Sequence, residues 1–221
     1  LDVVGLGYPV MDCLIRVDKL PGPGDVAALQ ESSWQGGGMV ATGLVAASVL
    51  GARCGIIGAV GGDREGRFCA MDLERNGVDV SHLKICPQAE TDFSFVLSES
   101  ALSERRFISS SGGSGRLEIS DLDDRYIAEA KYLFLCQMDE LGCAAARIAR
   151  QNGVKVFIDA DMYHPEIVRR LDLIDVLVGS ESFYEGMFSD RDYRKNCAEL
   201  ASRGPEIALI TLGARGAVGA F

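Results

Sequence analysis

From residue 117 to the end of the chain, short apolar runs alternate with longer segments of helical spacing. Residues 119–130 read as a polar helix, 131–136 as a strand, and 139–152 as a helix closed by Gly153. A strand at 154–158 ends in Asp159-Ala160-Asp161, and 165–171 reads as a short helix. Then come a strand at 175–178, one or two helices within 180–203, and a strand at 207–212 closed by Gly213. Strands and helices at this spacing predict crossover units and a mostly parallel sheet covered on both faces. In such sheets ligands bind outside the carboxyl ends of the strands. Glycine and small polar residues recur at those ends, as in Gly7-Tyr8-Pro9, Gly179-Ser180-Glu181 and Thr211-Leu212-Gly213, which points to a polar small molecule.

The first half is less regular. Residues 1–7 form a short apolar strand ending in Gly5-Leu6-Gly7. A dinucleotide fingerprint requires glycine at position 10, where Val10 stands, and the chain continues as strand over 11–17 instead of turning into a helix. Both points exclude a nicotinamide dehydrogenase. Pro21-Gly22-Pro23-Gly24-Asp25 is a turn, and a second strand-like segment covers 26–34. These two segments are candidates for a small sheet set apart from the main body. Residues 53–60 are a continuous apolar strand of the buried type. Asp63 is placed to cap a helix over 64–76 that stops at Gly77. Strand patterns follow at 82–85, 92–97 and 104–108, then a serine and glycine tract at 109–115, expected as a mobile loop over a site.

Between these segments lies Gly36-Gly37-Gly38, directly ahead of a helical pattern over 40–50. Without Cβ atoms the three residues permit positive φ and close approach of another molecule. Exposed amides at the helix start favour anions and hydroxyl oxygens. A tight strand-to-helix turn with no ligand accounts for the same residues, and the local sequence leaves both readings open.

Composition narrows the classes. The 221 residues carry 32 acidic and 22 basic side chains, a net charge of −10, which argues against nucleic acid and anionic membranes as main partners. No apolar run approaches membrane-spanning length and no signal peptide is visible. The seven cysteines are scattered and form no CxxC pair, so reduced thiols and a cytoplasmic location are expected. His82 and His164 lie far apart, outside any ligand-spaced cluster. Both ends of the chain read as lying inside strands, so the sequence is expected to be part of a longer domain.

Several segments in order carry a resemblance: Gly5-Leu6-Gly7 with Met11-Asp12, Leu20-Pro21-Gly22-Pro23-Gly24, and Gly37-Gly38 ahead of Thr42. Further on stand Leu50-Gly51-Ala52, Gly58-x-x-Gly61-x-Asp63-x-x-Gly66, Asn76-Gly77-Val78-Asp79, Glu104-Arg105-Arg106-Phe107 and Thr211-Leu212-Gly213-x-x-Gly216. Over essentially its whole length the chain resembles the ribokinase-type (PfkB) carbohydrate kinases. That resemblance implies a ribokinase-like three-layer α/β/α fold with a mostly parallel central sheet and a small β lid, here about 11–34 and 90–108. It implies transfer of the γ-phosphoryl group of ATP, with Mg²⁺, to a sugar hydroxymethyl group, a reaction that depends on positioning and charge neutralisation.

Carried over by residue, Asp12 would accept hydrogen bonds from sugar hydroxyls, a task suited to a carboxylate. Gly37 and Gly38 would lie against the sugar, Thr42 would line its site, and Arg106 would meet sugar or phosphate. Ser180, Thr211, Gly213 and Gly216 would line the nucleotide. The family commonly has asparagine where Thr42 stands, often asparagine at Val10, and Asn-x-x-Glu where Ser180 and Phe183 stand. These departures leave the metal-organising glutamate unassigned, with Glu181 and Glu185 as candidates to replace it and surface charge as the plainer reading. Asp159 and Asp161 would either touch Mg²⁺ through water or cap the next helix. Residues 36–42 with 156–161 are similar to a sulfofructose-kinase-like branch, and Trp34-Gln35 to ketohexokinases, both pointing to a ketose. The family's Gly-Ala-Gly-Asp motif, which supplies base and anion hole, does not occur in these residues and is expected beyond Phe221. No catalytic residue is therefore expected in this chain, and the 221 residues alone are expected to be inactive. A catalytically silent sugar- or nucleotide-binding protein on the same scaffold is the alternative. The resemblance also implies a homodimer through the exposed lid face.

Overall fold

The structure is a computed structural model describing all residues except 101–104, 111, 112 and 114. Residues 111, 112 and 114 of the tract expected as a loop over a site, and Glu104 of the Glu-Arg-Arg-Phe segment, lie outside the described residues, while Ser109 and Ser110 of that tract belong to a strand, Arg105–Ser110. The strands are β1 (Val3–Leu6), β2 (Val10–Val17), β3 (Leu29–Gly37), β4 (Cys54–Gly61), β5 (Val78–Cys86), β6 (Phe93–Glu99), β7 (Arg105–Ser110), β8 (Tyr132–Leu135), β9 (Lys155–Ala160), β10 (Val176–Gly179), β11 (Ile207–Thr211) and β12 (Ala217–Ala220). The helices are α1 (Met39–Val49), α2 (Arg64–Arg75), α3 (Asp124–Ala128), α4 (Glu140–Gln151), α5 (Pro165–Arg169), α6 (Glu181–Met187) and α7 (Tyr193–Ser202). They form two compact units. The first comprises Leu1–Leu6, Gly51–Gly55 and Leu117–Phe221, the second Gly7–Leu50 and Ile56–Arg116.

In the first unit the strand order is β12-β11-β10-β9-β8-β1. The pairings from β1 through β8, β9 and β10 to β11 are all parallel, as the alternation predicts. β12 is antiparallel to β11, with Thr211 opposite Ala217. The connection between them is a single 3₁₀ turn, too short for the crossover that a parallel pairing needs. Helix α4 buries Cys143, Ala145, Ala146 and Ala149, small side chains that let it pack closely on β8 and β9. Asp139 starts it by accepting a hydrogen bond from Gly142 N at 2.8 Å. The single polar helix expected over 119–130 is instead a 3₁₀ turn at Ile119–Asp121 followed by the short α3. Glu118 N donates to Asp121, and Arg125 N and Tyr126 N donate to Asp123. These bonds cap the two short elements separately, and the extended backbone of Leu122 and Asp123 between them interrupts the helix.

The second unit holds a four-stranded sheet in the order β3-β2-β6-β7, with β2–β3 and β6–β7 antiparallel and β2–β6 parallel. β4 is buried along its whole length and neighbours β5. Met11, Val60 and Cys69 form a core cluster backed by Phe68, Leu83 and Phe93, which fixes α2 against the sheet. The glycines differ from expectation. The strand expected at 26–34 runs over Leu29–Gly37, with Met11 paired to Gly36 and Val10 to Gly37. Ladder pairing with β2 overrides the weak strand preference of glycine. Gly38 alone makes the turn into α1, at φ 93°, and an added Cβ there would stand 2.6 Å from Tyr8 O. All seven cysteines are free, and among the described residues no helix is long and apolar enough to cross a membrane.

Candidate functional site

Asp12 sits on β2 with Val10 and Leu14 on one face of the four-stranded sheet, since alternate strand residues share a face. Register adds Gln35 and Gly37 of β3 and Ser94 of β6 to that face. The Asp12 carboxylate lies over the α-carbon of Gly37, where an added Cβ would be 2.7 Å from Asp12 Cγ and closer still to Oδ2. Gly37 therefore gives the carboxylate its place. Burial pushes the Asp12 pKa above the ordinary carboxylate value. No hydrogen bond or ion pair from another described residue reaches this carboxylate, so it is a half-buried acceptor open to a ligand's hydroxyls.

Thr42 is exposed in the first turn of α1, one turn from Gly38, whose carbonyl accepts from Thr42 N at 2.9 Å. Together with Gly36, Gly37, Cys69 and Asp72 it lines a hollow of about 70 Å³. Asp72 occupies the space over Gly36 that a side chain would need: an added Cβ there would be 3.3 Å from Asp72 Cγ. Burial, reinforced by the negative charges of Asp72, Asp63 and Asp12, pushes the Cys69 thiol up to about 12. Cys69 is thus an unionised wall of the hollow. Sequence reasoning missed Asp72. In α2 it follows the pattern of any polar helix position, and only its meeting with Gly36 singles it out.

Arg106 is not brought beside Asp12. It pairs with Leu97, which pairs with Ile15, so Arg106 belongs to the opposite face of the sheet. There it lines a hollow with Asp18, Lys19, Asp25 and Glu99. Its neighbour Arg105, opposite Ser98, shares the face of Asp12.

The Gly61-x-Asp63-x-x-Gly66 segment proves to be a staple. Asp63 accepts from Gly66 N at 2.8 Å, from Thr91 N at 2.7 Å and from Thr91 Oγ1 at 2.6 Å, while Gly61 N donates to Thr91 Oγ1 at 2.9 Å. Burial raises the Asp63 pKa, but the bonds from Thr91 and Gly66 outweigh it and hold the group below its ordinary value. The segment starts α2 and ties it to the approach to β6, which carries the strand beside Asp12.

The four residues expected at a nucleotide all belong to the first unit. Gly213 and Gly216 take φ of 56° and 84°, and nothing lies within 4 Å of a Cβ built on either. Thr211 is exposed and donates to Gly179 O at 3.3 Å. This turn leaves its backbone bare. Ser180 is committed as the α6 cap, donating to Asp161 O and accepting from Phe183 N at 3.0 Å, while Phe183 is fully buried. Glu181 holds Arg215 by an ion pair and accepts from Tyr193 OH at 2.9 Å, and Arg215 lies over the Tyr193 ring at 5.9 Å. Hydrogen bonds from Arg215 and then Tyr193 lower the Glu181 pKa. Glu185 pairs with Arg191 at 3.6 Å. Asp159 is half-buried, its pKa raised by burial and by Asp161. Among the described residues no cluster of three or more metal-ligating side chains occurs.

The architecture and these two sets of residues define an α/β protein with a glycine-floored, acid-bearing site in one unit and a bare glycine turn in the other. The family model for pfkB family carbohydrate kinases matches residues 1–220, and the chain belongs to that family. It is 28% identical to an ATP-dependent ribose-1-phosphate kinase of Halopiger xanaduensis over 93% of this chain and 73% of that one. It is 27% identical to a ribokinase of Haemophilus influenzae over 96% of this chain and 72% of that one. The structure of Arabidopsis thaliana ribokinase complexed with ribose and ATP superimposes with a TM-score of 0.81 at 20% identity, covering 99% of this chain and 74% of that one. The ribokinase-like α/β fold is thereby established.

Proposed function

We propose that this chain supplies the sugar- and nucleotide-binding residues of an ATP-dependent kinase whose acceptor is a sugar hydroxymethyl group. The observation that carries the reading is the Asp12 carboxylate over Gly37, half-buried and without a partner among the described residues. Burying a carboxylate unpaired is costly and is sustained where a ligand completes its hydrogen bonds. Asp12, Gly37, Gly38 and Thr42 would hold the sugar. Thr211, Gly213 and Gly216 would receive ATP, with Ser180 acting through the start of α6. Mg²⁺ would enter on the phosphates and neutralise charge on the transferring group. The ketose reading rests on the likeness of residues 36–42 with 156–161, and of Trp34-Gln35, to ketose-phosphorylating branches of the family. A cytoplasmic location fits seven free cysteines.

We also infer that the 221 residues by themselves bind without transferring phosphate, because the sequence holds no Gly-Ala-Gly-Asp segment. General-base and oxyanion contributions are each worth orders of magnitude in rate. One observation favours the second reading, a silent binding protein: where the family's Asn-x-x-Glu is expected, Ser180 is tied up as a cap and Phe183 is buried. Calorimetric titration with sugars and a non-hydrolysable ATP analogue, beside an assay for ADP release, tests both inferences. Binding of sugar and nucleotide that is lost in Asp12→Asn and Gly216→Val respectively supports the assignment. Absence of all binding refutes it, and ADP release by the 221 residues refutes their inactivity.

A further inference from the structure

Gly36 and Gly37 are consecutive strand residues, so their missing side chains point to opposite faces of β3. Each vacated position is filled by a carboxylate: Asp12 over Gly37 and Asp72 over Gly36. The Asp72 carboxylate, like that of Asp12, has no hydrogen bond or ion pair from another described residue. It opens on the hollow of about 70 Å³, whose wall also includes Gly37 and Thr42, two of the residues assigned to the sugar. The hollow has room for a small polar group such as a hydroxyl-bearing carbon. Thr42 contributes to that room, being shorter than the asparagine common in the family.

We propose that this hollow is a second sugar subsite and that Asp72 is a specificity-determining residue, accepting a hydrogen bond from a hydroxyl-bearing carbon of the substrate away from the phosphorylated end. The inference rests on the sugar-kinase reading of Asp12 and Gly37. A carboxylate accepts hydroxyl donors and repels anions, so the subsite selects a neutral polyhydroxylated sugar and rejects one bearing a phosphate, sulfonate or carboxylate on the inserted carbon. Of the cations of α2, Arg64 is stacked on Trp34 at 5.8 Å and paired to Glu65 at 3.1 Å, and Arg67 donates to Gly62 O at 2.9 Å. Arg75, three residues beyond Asp72, forms no ion pair with it among the described residues.

Calorimetric titration of the 221-residue chain with D-fructose, D-ribose and D-fructose 6-phosphate tests the subsite, comparing wild type with Asp12→Asn, Asp72→Asn and Gly36→Ala. The wild type is expected to prefer a neutral sugar over the phosphate ester. Asp72→Asn should weaken the neutral sugar about tenfold or more, the scale of a hydrogen bond to a charged group, and narrow the gap to the phosphate ester. Gly36→Ala, which forces Asp72 aside, should shift the ratio the same way, with sugar-free melting confirming that both variants fold. Asp12→Asn abolishing binding while Asp72→Asn and Gly36→Ala leave both affinity and ratio unchanged overturns the subsite and spares the sugar site. No sugar binding by the wild type overturns both.

Discussion

The Asp12 carboxylate occupies the space that any side chain at Gly37 would fill, with an added Cβ only 2.7 Å from Asp12 Cγ. The two residues lie on neighbouring antiparallel strands, diagonally related on one face: Val10 is opposite Gly37, and Asp12 is two residues farther along β2. A charge and the glycine that admits it thus act as one feature.

Gly37→Ala is therefore expected to cost about 1–3 kcal/mol of stability, the range for overpacking, and to weaken sugar binding more than tenfold by displacing Asp12. Asp12→Ala in the same chain should restore much of the stability and none of the binding. A double-mutant cycle by chemical denaturation measures the coupling, and additive effects would refute the contact as its cause.

Sugar binding should weaken with acid at a pH above the ordinary carboxylate range. Burial raises the Asp12 pKa, and the protonated group loses acceptor capacity. The stability term has the opposite sense. A carboxyl whose folded pKa is raised favours folding below its unfolded value, and this contribution is lost as pH rises through the folded value. At neutral pH Asp12→Asn should leave the sugar-free melting temperature equal or higher while binding is lost. A clear fall in melting temperature would show that Asp12 is structural.

Asp63 behaves in the reverse direction. Its pKa is held below the ordinary value, so its contribution is present above the unfolded carboxylate value and fades as pH falls through the folded one. Asp63→Ala removes a helix cap and the bonds from Thr91, and should cost about 2 kcal/mol at pH 7. Urea denaturation at pH 7 and pH 3 should show that difference shrinking in acid; a constant difference would contradict it.

The Glu181–Arg215 pair braces the turn that carries Gly213 and Gly216. Exposed pairs are screened by solvent and contribute little to stability, so Glu181→Gln should move the melting temperature little. Its expected signature is a reduction of nucleotide affinity by about twofold to fivefold with sugar affinity unchanged. Titration with a fluorescent ATP analogue distinguishes this from general destabilisation, which would weaken both ligands.

Much of the fold was legible along the chain because its causes are local. The parallel strands from β8 to β11 announce themselves as apolar runs, Asp63 as a cap, and the ordered glycine motifs carry the family resemblance. Local bonding to Asp121 and Asp123 split the helix expected over 119–130, a competition between side chain and backbone that periodicity does not report. The hairpin return of β12 depended on the length of its turn.

The amino-acid sequence by itself determined the family, the glycine cluster and the candidate residues Asp12 and Thr42. It left open whether that cluster was a loop, which positions shared a face and what stood across space. Pairing with β2 made Gly36 and Gly37 strand residues, and register put Arg105 with Asp12 and Arg106 on the other side. Strand periodicity fixes alternation, but the face each residue joins is set by its partner strand. Packing of α2 brought Asp72 to Gly36, and the return toward β6 brought Thr91 to Asp63, 28 residues away. These contacts join segments distant in the chain, so only the tertiary structure decided them.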